Sequence, residues 1–387
     1  MIIKPANRLG DVKEYYFSKK LREIAAMRAE GIEVLNLGIG SPDLPPSEET
    51  INTLIEESKN PNNHAYQSYS GIIELREAFA SWYRKYFKID LNPSNEILPL
   101  IGSKEGLMHI AMAFLENGDK VLVPNPGYPA YRTVSTLAGA EVIDYELFEE
   151  NGWLPNFEAI EQHDLSKVKL MWVNYPHMPT GTKASKSFFE QLISFAKKHQ
   201  ILIVNDNPYS FVLNDDLLSI FSVEGARELA LELNSLSKSQ NMAGWRVGML
   251  AGDSAYIQTI LRFKSNMDSG MFRPLQLAAV QALRNNENWY KDLNKIYEKR
   301  REKVYELYDL IGCEYSKDSV GMFVWAKVPN DCRNGFELSD EILNKTHVFI
   351  TPGGIFGSRG ERYIRASLCN KVEAFEKAIQ KIRFFYK

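Results

Sequence analysis

Three absences in the 387-residue sequence narrow the class of protein before any motif is considered. Its only cysteines, Cys313, Cys332 and Cys369, are scattered and lack metal-ligand spacing, so we expect reduced thiols, no disulfide framework and no metal site. No run approaches about 18 consecutive apolar residues, and the first residues lack the apolar core of a signal peptide. These absences predict a cytoplasmic protein that does not enter a membrane.

The sequence also lacks an excess of charge of either sign. Lysine and arginine total 46 and aspartate and glutamate total 49, which gives a net charge of −3. No general attraction to nucleic acid is therefore expected. Hydrophobic residues make up 44% and charged residues 25% of the chain, which is typical of a globular protein. Because 387 residues are too many for one ordinary core, we expect one large and one smaller domain.

Short apolar runs alternate along the chain with longer segments of helical periodicity. The runs are EILPLI (96–101), KVLVP (120–124), VKLMWV (168–173), ILIV (201–204) and LALEL (229–233). This alternation predicts an α/β fold with a mostly parallel sheet between helices. We place a large domain over residues 45–285 and a smaller α+β domain over residues 1–44 and 286–387. The charged segment from Asn286 to Ile311 is predicted to be a long exposed helix.

A polar cluster follows each of these five runs, and most of the clusters contain glycine or proline. The clusters read GSKEG, NPGYPAY, NYPHMPTG, NDNPY and NSLSKS. Ligands of open α/β sheets bind beyond the carboxyl ends of the strands. Each cluster alone is compatible with a turn, but five together predict one binding site at one edge of the sheet.

The last cluster places Lys238 among small residues, directly behind an apolar run. A lysine held in a pocket can form a Schiff base, although a lone loop lysine is most often a solvated surface residue. Arg246, Ser235, Ser237 and a helix beginning at Ser103 could together bind a phosphate, although serine and glycine are also common in turns.

Asp206 ends the apolar run ILIVND, where a carboxylate is costly unless it is paired. It could pair with a protonated ring nitrogen, with a basic side chain or with a helix start. Two aromatic residues, Tyr128 and Tyr209, lie in neighbouring clusters. One cofactor accounts for all of these residues together: pyridoxal 5′-phosphate bound to Lys238, with Asp206 keeping its ring nitrogen protonated.

The sequence resembles the pyridoxal-phosphate aminotransferases of fold type I, class I/II, over nearly its whole length. SLSKSQNMAGWRVG is similar to the cofactor-lysine segment of that family, which is a highly specific pattern. The resemblance implies an aspartate aminotransferase-like fold with a seven-stranded sheet. It also implies that Lys238 forms the Schiff base and moves protons, while Ser235, Ser237 and Arg246 hold the phosphate.

Other segments of the resemblance surround the same cofactor. NDNPY implies that Asp206 contacts the ring nitrogen and Tyr209 the phenolic oxygen of the ring. GSKEG implies that the backbone amides of Ser103 and Lys104 bind the phosphate, and NPGYPAY implies that Tyr128 stacks on the ring. In YQSYSGIIELREAFA, Tyr66 matches a residue that reaches the phosphate of the neighbouring subunit, which implies a homodimer with shared active sites.

The resemblance also implies how an amino acid and a 2-oxo acid would bind. Arg365 in RYIRASL would bind the α-carboxylate, for which the guanidinium fork is well suited, and Gly40 in GIGSPD would lie beside the substrate. The segments LNLGIGSPDLPP and SNMDSGMFRPLQLAAVQAL are most similar to the LL-diaminopimelate aminotransferase-like branch. In that branch a tyrosine near the N-terminus approaches the substrate, and Tyr15 is the matching residue.

One departure from the family pattern lies in NYPHMPTG. The family usually has Asn-Pro-Thr-Gly, whose asparagine donates a hydrogen bond to the phenolic oxygen, whereas this chain has Met178. A thioether cannot donate, so Tyr209 becomes the main donor unless Asn174 reaches that oxygen. We therefore hypothesise that the Schiff base keeps its proton to a higher pH. His177 is an alternative catalytic base, but Lys238 already serves that role.

The Met178→Asn variant tests this hypothesis. Asparagine supplies the missing donor, so the midpoint of an absorbance titration of the bound cofactor should move to lower pH than in the wild type. An unchanged midpoint would contradict the hypothesis.

The predicted reaction is a ping-pong transamination between an L-amino acid and a 2-oxo acid. Two alternatives remain open from the sequence. A carbon–sulfur β-lyase on the same scaffold would use the same lysine, aspartate and arginine. A non-catalytic protein that senses the cofactor is a second alternative, although the intact lysine and the absence of an appended DNA-binding segment argue against it.

Overall fold

The computed structural model describes residues 3–10 and 16–386 of the chain. The α-helices are Tyr16–Ala29 (α1), Glu48–Lys59 (α2), Ile73–Phe87 (α3), Ser103–Phe114 (α4), Pro129–Leu137 (α5), Phe157–Ile160 (α6), Lys186–His199 (α7), Ala226–Leu229 (α8), Leu236–Ser239 (α9), Ser254–Lys264 (α10), Arg273–Leu283 (α11), Glu287–Leu310 (α12), Gly335–Thr346 (α13) and Val372–Phe385 (α14). Short 3-10 helices lie at Asn7–Leu9, Pro61–Asn63, Glu149–Asn151, Ile220–Ser222, Ala243–Trp245, Gly353–Phe356 and Ser358–Gly360.

The strands form a seven-stranded sheet, a four-stranded sheet and a short parallel pair. They are Leu35–Asn36 (β1), Ile97–Leu100 (β2), Lys120–Asn125 (β3), Glu141–Glu146 (β4), Val168–Val173 (β5), Leu202–Asp206 (β6), Ala230–Ser235 (β7), Gly248–Gly252 (β8), Glu314–Tyr315 (β9), Phe323–Lys327 (β10), Val348–Phe349 (β11), Thr351–Pro352 (β12) and Tyr363–Ser367 (β13). The seven-stranded sheet has the order β2-β8-β7-β6-β5-β3-β4.

This large sheet is parallel except at β8, which runs antiparallel to both of its neighbours. Apolar side chains cover both of its faces. Leu98, Leu107 and Leu233 belong to the core on one face, whereas Met171 and Ile203 belong to the core on the other. Helices therefore enclose the sheet on both sides, and the predicted α/β fold with a mostly parallel seven-stranded sheet is confirmed.

Each of the five apolar runs of the sequence overlaps a strand of this sheet, namely β2, β3, β5, β6 and β7. The other two strands lack a continuous apolar signal. Strand β4 lies at the sheet edge and is only partly buried. Strand β8 reads GMLAG, and a Cβ atom at Gly252 would lie 2.4 Å from the side chain of Leu231. Glycine there reflects close packing against the neighbouring strand.

The four-stranded sheet is antiparallel, in the order β12-β13-β10-β9. The N-terminal segment also packs beside the small sheet, because β1 pairs in parallel with β11, the strand that directly precedes β12 in the chain. Residues 37–45, called here the N-terminal strap, then cross to the large sheet. The backbone oxygen of Leu37 accepts from the Ser367 N–H at 2.7 Å, and that of Pro45 accepts from the Asn241 amide at 3.2 Å. The strap therefore joins the two sheets. The predicted domain boundaries stay a prediction.

Helix α12 is present as predicted from the sequence, but the prediction that it is exposed is wrong. It begins and ends within one residue of the predicted segment, but it is not exposed all round, because seven of its side chains are buried, among them Tyr297, Arg300 and Tyr308. The buried face contains arginine and tyrosine, which are usually exposed or partly exposed, so the sequence wrongly indicated a fully solvated helix. No helix in the described part of the chain is both long and apolar enough to span a membrane.

An ion pair between a buried arginine and a partly exposed aspartate holds the strap against α12. The Arg300 guanidinium, 2% exposed, donates to both carboxylate oxygens of Asp43 at 2.7 and 2.8 Å and to the backbone oxygen of Leu368 at 3.0 Å. Asp43→Ala would leave this buried charge without its carboxylate. Because the Asp43 side chain is 24% exposed, we expect the free energy of unfolding to fall by about 1–3 kcal/mol in urea titrations, less than for a fully buried pair.

A matched control for this prediction is Glu56→Ala, which removes an exposed carboxylate from its pair with Lys59. Exposed pairs contribute little, so this variant should unfold near the wild-type midpoint. Equal midpoints for both variants would show that the strap is not held by Asp43.

Candidate active site

A cavity of about 510 Å³ lies at the carboxyl edge of the large sheet. Residues from all five polar clusters of the sequence line it: Ser103, Lys104, Tyr128, Asn174, Met178, Asp206, Tyr209, Ser235, Ser237 and Lys238. Arg246, Arg365 and Gly40 complete the wall from the segment after α9, from β13 and from the strap. The predicted convergence of the five clusters at one sheet edge is therefore observed.

One end of the cavity is a cup of hydrogen-bond donors around the start of α4. Gly102 precedes that helix with φ = 77°, and a Cβ atom there would lie 2.0 Å from the Arg246 guanidinium. Arg246 donates to the Ser237 hydroxyl at 3.4 Å, and the Ser235 and Ser237 hydroxyls are 2.9 Å apart. No carboxylate of the described residues pairs with Arg246. Hydroxyls, a guanidinium and the N–H groups of a helix start form a site suited to a phosphate.

Lys238 extends from the single turn α9 into the middle of the cavity wall. Its amine donates to the backbone oxygen of Gly40 in the strap at 2.8 Å. Burial lowers the pKa of Lys238, and the positive charges of Arg365 and Arg246 lower it further. A lysine that is easier to deprotonate is a better nucleophile and base. Glycine is required at position 40, because a Cβ atom there would lie 2.3 Å from the Phe323 ring.

Asp206 is the last residue of β6 and is 5% exposed. Its Oδ2 atom accepts a hydrogen bond from the Tyr131 hydroxyl at 2.9 Å, whereas no described residue bonds its buried Oδ1 atom. Burial raises the pKa of Asp206 to about 6, although the Tyr131 hydroxyl and the Lys238 charge oppose this rise. Asp206 thus presents one carboxylate oxygen that is bonded and one that lacks a donor.

Arg365 lies on β13 and is 4% exposed. Its guanidinium donates to the backbone oxygen of Gly38 at 3.0 Å and to the Met178 sulfur at 3.1 Å. Its central carbon lies 3.8 Å from the centroid of the Phe323 ring and 4.5 Å from that of Phe356. A thioether is only a weak acceptor, and aromatic faces attract cations. These contacts hold the guanidinium at the cavity wall, where a carboxylate could approach it.

Asn174 lies in the cavity wall, but backbone groups engage its amide. The amide nitrogen donates to the backbone oxygen of Asp206, and the amide oxygen accepts from the Met178 N–H at 2.8 Å. His177 does not line this cavity; its Nδ1 atom lies 2.8 Å from the Thr180 hydroxyl. Burial lowers the pKa of His177 to about 3, which makes it a poor proton acceptor.

One predicted residue is not brought to the cavity of its own protomer. Tyr66 is 90% exposed and does not line the cavity of its own protomer. Tyr15 lies outside the described residues.

A match to a family model decides the family to which the chain belongs. Residues 32–382 match the model of the class I and II aminotransferases. The chain belongs to this family. It is therefore an enzyme that transfers amino groups, and the predicted resemblance and enzyme class are confirmed.

The similarity of this aminotransferase to known relatives extends over its full length. It is 42% identical over 387 residues to an LL-diaminopimelate aminotransferase of Dehalococcoides mccartyi (strain CBDB1), with all of both chains covered. It is 39% identical over 380 residues to one of Halothermothrix orenii, which covers 98% of this chain and 97% of the relative. The substrate-bound structure of BacF from Bacillus subtilis superimposes with a TM-score of 0.94 at 36% identity, covering 100% and 98% of the two chains.

Three site residues of this aminotransferase were missed by the sequence reasoning: Tyr131, Phe323 and Phe356. Tyr128 is the N-cap residue of α5 and Tyr131 lies three residues later in that helix, so the helical spacing of the two tyrosines was an available signal. Phe323 and Phe356 come from the region of the small sheet, 117 and 150 residues after Asp206 in the sequence, and no local pattern relates them to the cavity.

Proposed function

We propose that this aminotransferase uses pyridoxal 5′-phosphate, bound covalently to Lys238. The unbonded and buried Oδ1 atom of Asp206 carries the proposal, because a buried carboxylate oxygen normally has a donor. A protonated ring nitrogen supplies one. The donor cup at Ser235, Ser237 and Arg246 fits the phosphate, and the Lys238 amine lies in the same cavity. The residues present therefore fit the cofactor at three separate groups.

When bound, pyridoxal phosphate supplies an aldehyde that bonds to amines and a ring that withdraws electrons from the substrate α-carbon. The residues that line the cavity would act on this cofactor and on the substrate. Lys238 would hold the cofactor covalently, and its amine, once free, would be the base that takes the substrate α-proton. Asp206 would keep the ring nitrogen protonated. Tyr209 would donate to the phenolic oxygen, and Tyr128 would pack on the ring face. The Ser103 and Lys104 backbone amides would bind the phosphate.

We further propose that Arg365 binds the α-carboxylate of the substrate. Its guanidinium donates to the backbone oxygen of Gly38 and to the Met178 sulfur and lies over two aromatic rings, which hold it at the cavity wall. A substrate carboxylate would supply charge-assisted hydrogen bonds at this position. Gly40 lies beside the same space, since its backbone oxygen faces the Lys238 amine. The amino group would then leave an L-amino acid and enter a 2-oxo acid in two successive half-reactions.

The names of the relatives indicate the substrate to test first. Two relatives at 42% and 39% identity are LL-diaminopimelate aminotransferases, so we propose LL-diaminopimelate as amino donor. We also propose a cytoplasmic homodimer in which the exposed Tyr66 reaches the phosphate of the neighbouring subunit. The large domain at residues 45–285 would carry the cofactor, and residues 1–44 and 286–387 would form the small domain. Tyr15 would approach the substrate.

A screen of half-reactions tests this function. The enzyme, loaded with pyridoxal phosphate, is mixed with single amino acids, and loss of the absorbance band of the lysine-bound cofactor is followed. We expect LL-diaminopimelate to react with a higher kcat/KM than aspartate, alanine or phenylalanine. Reaction with another amino acid but not LL-diaminopimelate would overturn the substrate alone. An enzyme that binds no pyridoxal phosphate would overturn the proposed function.

A further inference from the structure

We propose that Tyr131 is a positioning residue for Asp206: its hydroxyl fixes one carboxylate oxygen, so that the other stays charged and faces the ring nitrogen of the cofactor. This inference rests on the proposed function, because it concerns how Asp206 acts on pyridoxal phosphate. Tyr131 itself does not have to touch the reacting atoms.

The position of the Tyr131 ring is fixed by packing as well as by its hydroxyl. The ring is 0% exposed and stacks on Trp172 with a centroid distance of 5.4 Å and an interplanar angle of 7°. The Trp172 indole donates to the Ser135 hydroxyl at 3.0 Å, and that hydroxyl donates to the backbone oxygen of Tyr131 at 2.8 Å. This closed set of contacts joins α5 to β5. The phenol therefore meets Asp206 in one orientation, as preorganisation requires.

The two oxygens of Asp206 consequently have different environments. Oδ2 accepts from Tyr131 at 2.9 Å, which leaves Oδ1 as the oxygen without a donor among the described residues. Without the phenol, both oxygens would be buried and unbonded, and the carboxylate could rotate about its χ2 angle. Neutralisation by a proton is the usual response of such a group. A fixed donor on Oδ2 thus favours a charged and oriented Oδ1.

The charged and titratable groups around Asp206 act in opposite directions. Burial raises the pKa of Asp206 to about 6, whereas the Tyr131 hydroxyl and the positive charge of Lys238 lower it. The Tyr128 and Tyr209 hydroxyls lie close enough to influence Tyr131. Asn174 donates only to the backbone oxygen of Asp206, not to its carboxylate. Tyr131 is therefore the one hydrogen-bond donor to this carboxylate among the described residues.

The Tyr131→Phe variant separates this role from a structural one. Phenylalanine keeps the ring that stacks on Trp172 and removes only the hydroxyl. Two probes are titrated into the cofactor-free protein: pyridoxal phosphate, and its 1-deaza analogue, in which a C–H replaces the ring nitrogen. We expect the variant to bind pyridoxal phosphate about tenfold more weakly at pH 7, which is the size of one hydrogen bond to a charged group. Its affinity for the analogue should equal that of the wild type.

A second readout is the pH dependence of pyridoxal phosphate binding. Asp206 must be charged to pair with a protonated ring nitrogen, so affinity should fall as the pH drops below the pKa of Asp206, about 6 in the wild type. Loss of the phenol raises this pKa. The fall in affinity should therefore begin at a higher pH in Tyr131→Phe, whereas a structural defect alone would weaken binding at all pH values.

Tyr145→Phe is the matched control. Tyr145 is also buried, and its hydroxyl donates to the backbone oxygen of Trp172 at 2.7 Å, but it does not contact Asp206. This control should bind both probes as the wild type does. Equal weakening of both probes by Tyr131→Phe, or no weakening of either, would overturn the inference. If the wild type and Asp206→Ala prefer pyridoxal phosphate over the analogue to the same degree, the role proposed for Asp206 itself fails.

Discussion

Replacing Lys238 with alanine should abolish covalent cofactor binding and lower the transamination rate by at least about 10²–10⁴-fold, the usual contribution of a general base alone. The fold should survive. Burial lowers the pKa of Lys238, which means that the folded protein disfavours the charge of this amine. Its removal therefore relieves a cost while losing one hydrogen bond to Gly40. The rate is measured in single-turnover half-reactions, and stability by thermal unfolding of the cofactor-free protein.

The control for this experiment is Lys183→Ala. Lys183 is exposed and pairs with the exposed Asp216 at 3.0 Å, away from the cavity. It should react at the wild-type rate. Transamination by Lys238→Ala at that same rate would refute the role of the lysine, whatever cofactor is bound.

The second large effect is expected for Asp206→Ala. The variant removes the carboxylate that would keep the ring nitrogen protonated, and the half-reaction should slow by about 10²–10³-fold, as when one preorganised electrostatic contact is lost. Covalent binding to Lys238 should persist, because the donor cup and the amine are intact. The measurement compares the absorbance band of the bound cofactor with the half-reaction rate in the same preparation.

Rescue by a modified cofactor makes the Asp206 prediction specific. Methylation of the ring nitrogen gives pyridoxal phosphate a permanent positive charge, and alanine at position 206 leaves room for the methyl group. This cofactor should restore part of the rate in Asp206→Ala but not in Lys238→Ala. Failure to restore any activity in Asp206→Ala would show that Asp206 does more than keep the ring charged.

The location of the site could be predicted from sequence because local patterns encode it. A buried apolar run followed by small and polar residues indicates a strand end, and parallel strands bring their carboxyl ends to one edge. Ser103, Asp206 and Lys238 each lie within five residues of the end of such a run. Their convergence needs no information about distant parts of the chain. The resemblance to a known family then added roles that spacing alone leaves open.

The surroundings of these residues depend on contacts between distant segments, and this part could not be predicted. Arg365 is fixed by Gly38 and Met178, which lie 327 and 187 residues away in sequence. The buried face of α12 was missed because Arg300 looks like a solvated residue until its partner Asp43 is known. The donor to Asp206 was missed for a similar reason, since Tyr131 lies 75 residues before it.

The proposed function depends most on the covalent bond between Lys238 and pyridoxal phosphate, and reductive trapping measures this bond directly. The protein is incubated with stoichiometric pyridoxal phosphate and reduced with borohydride, and its peptides are then analysed by mass spectrometry. We expect one modified lysine per chain, Lys238, and no stable label at Lys104, which lines the same cavity. Modification of Lys104 or of surface lysines, with Lys238 unlabelled, would contradict the proposed role of Lys238.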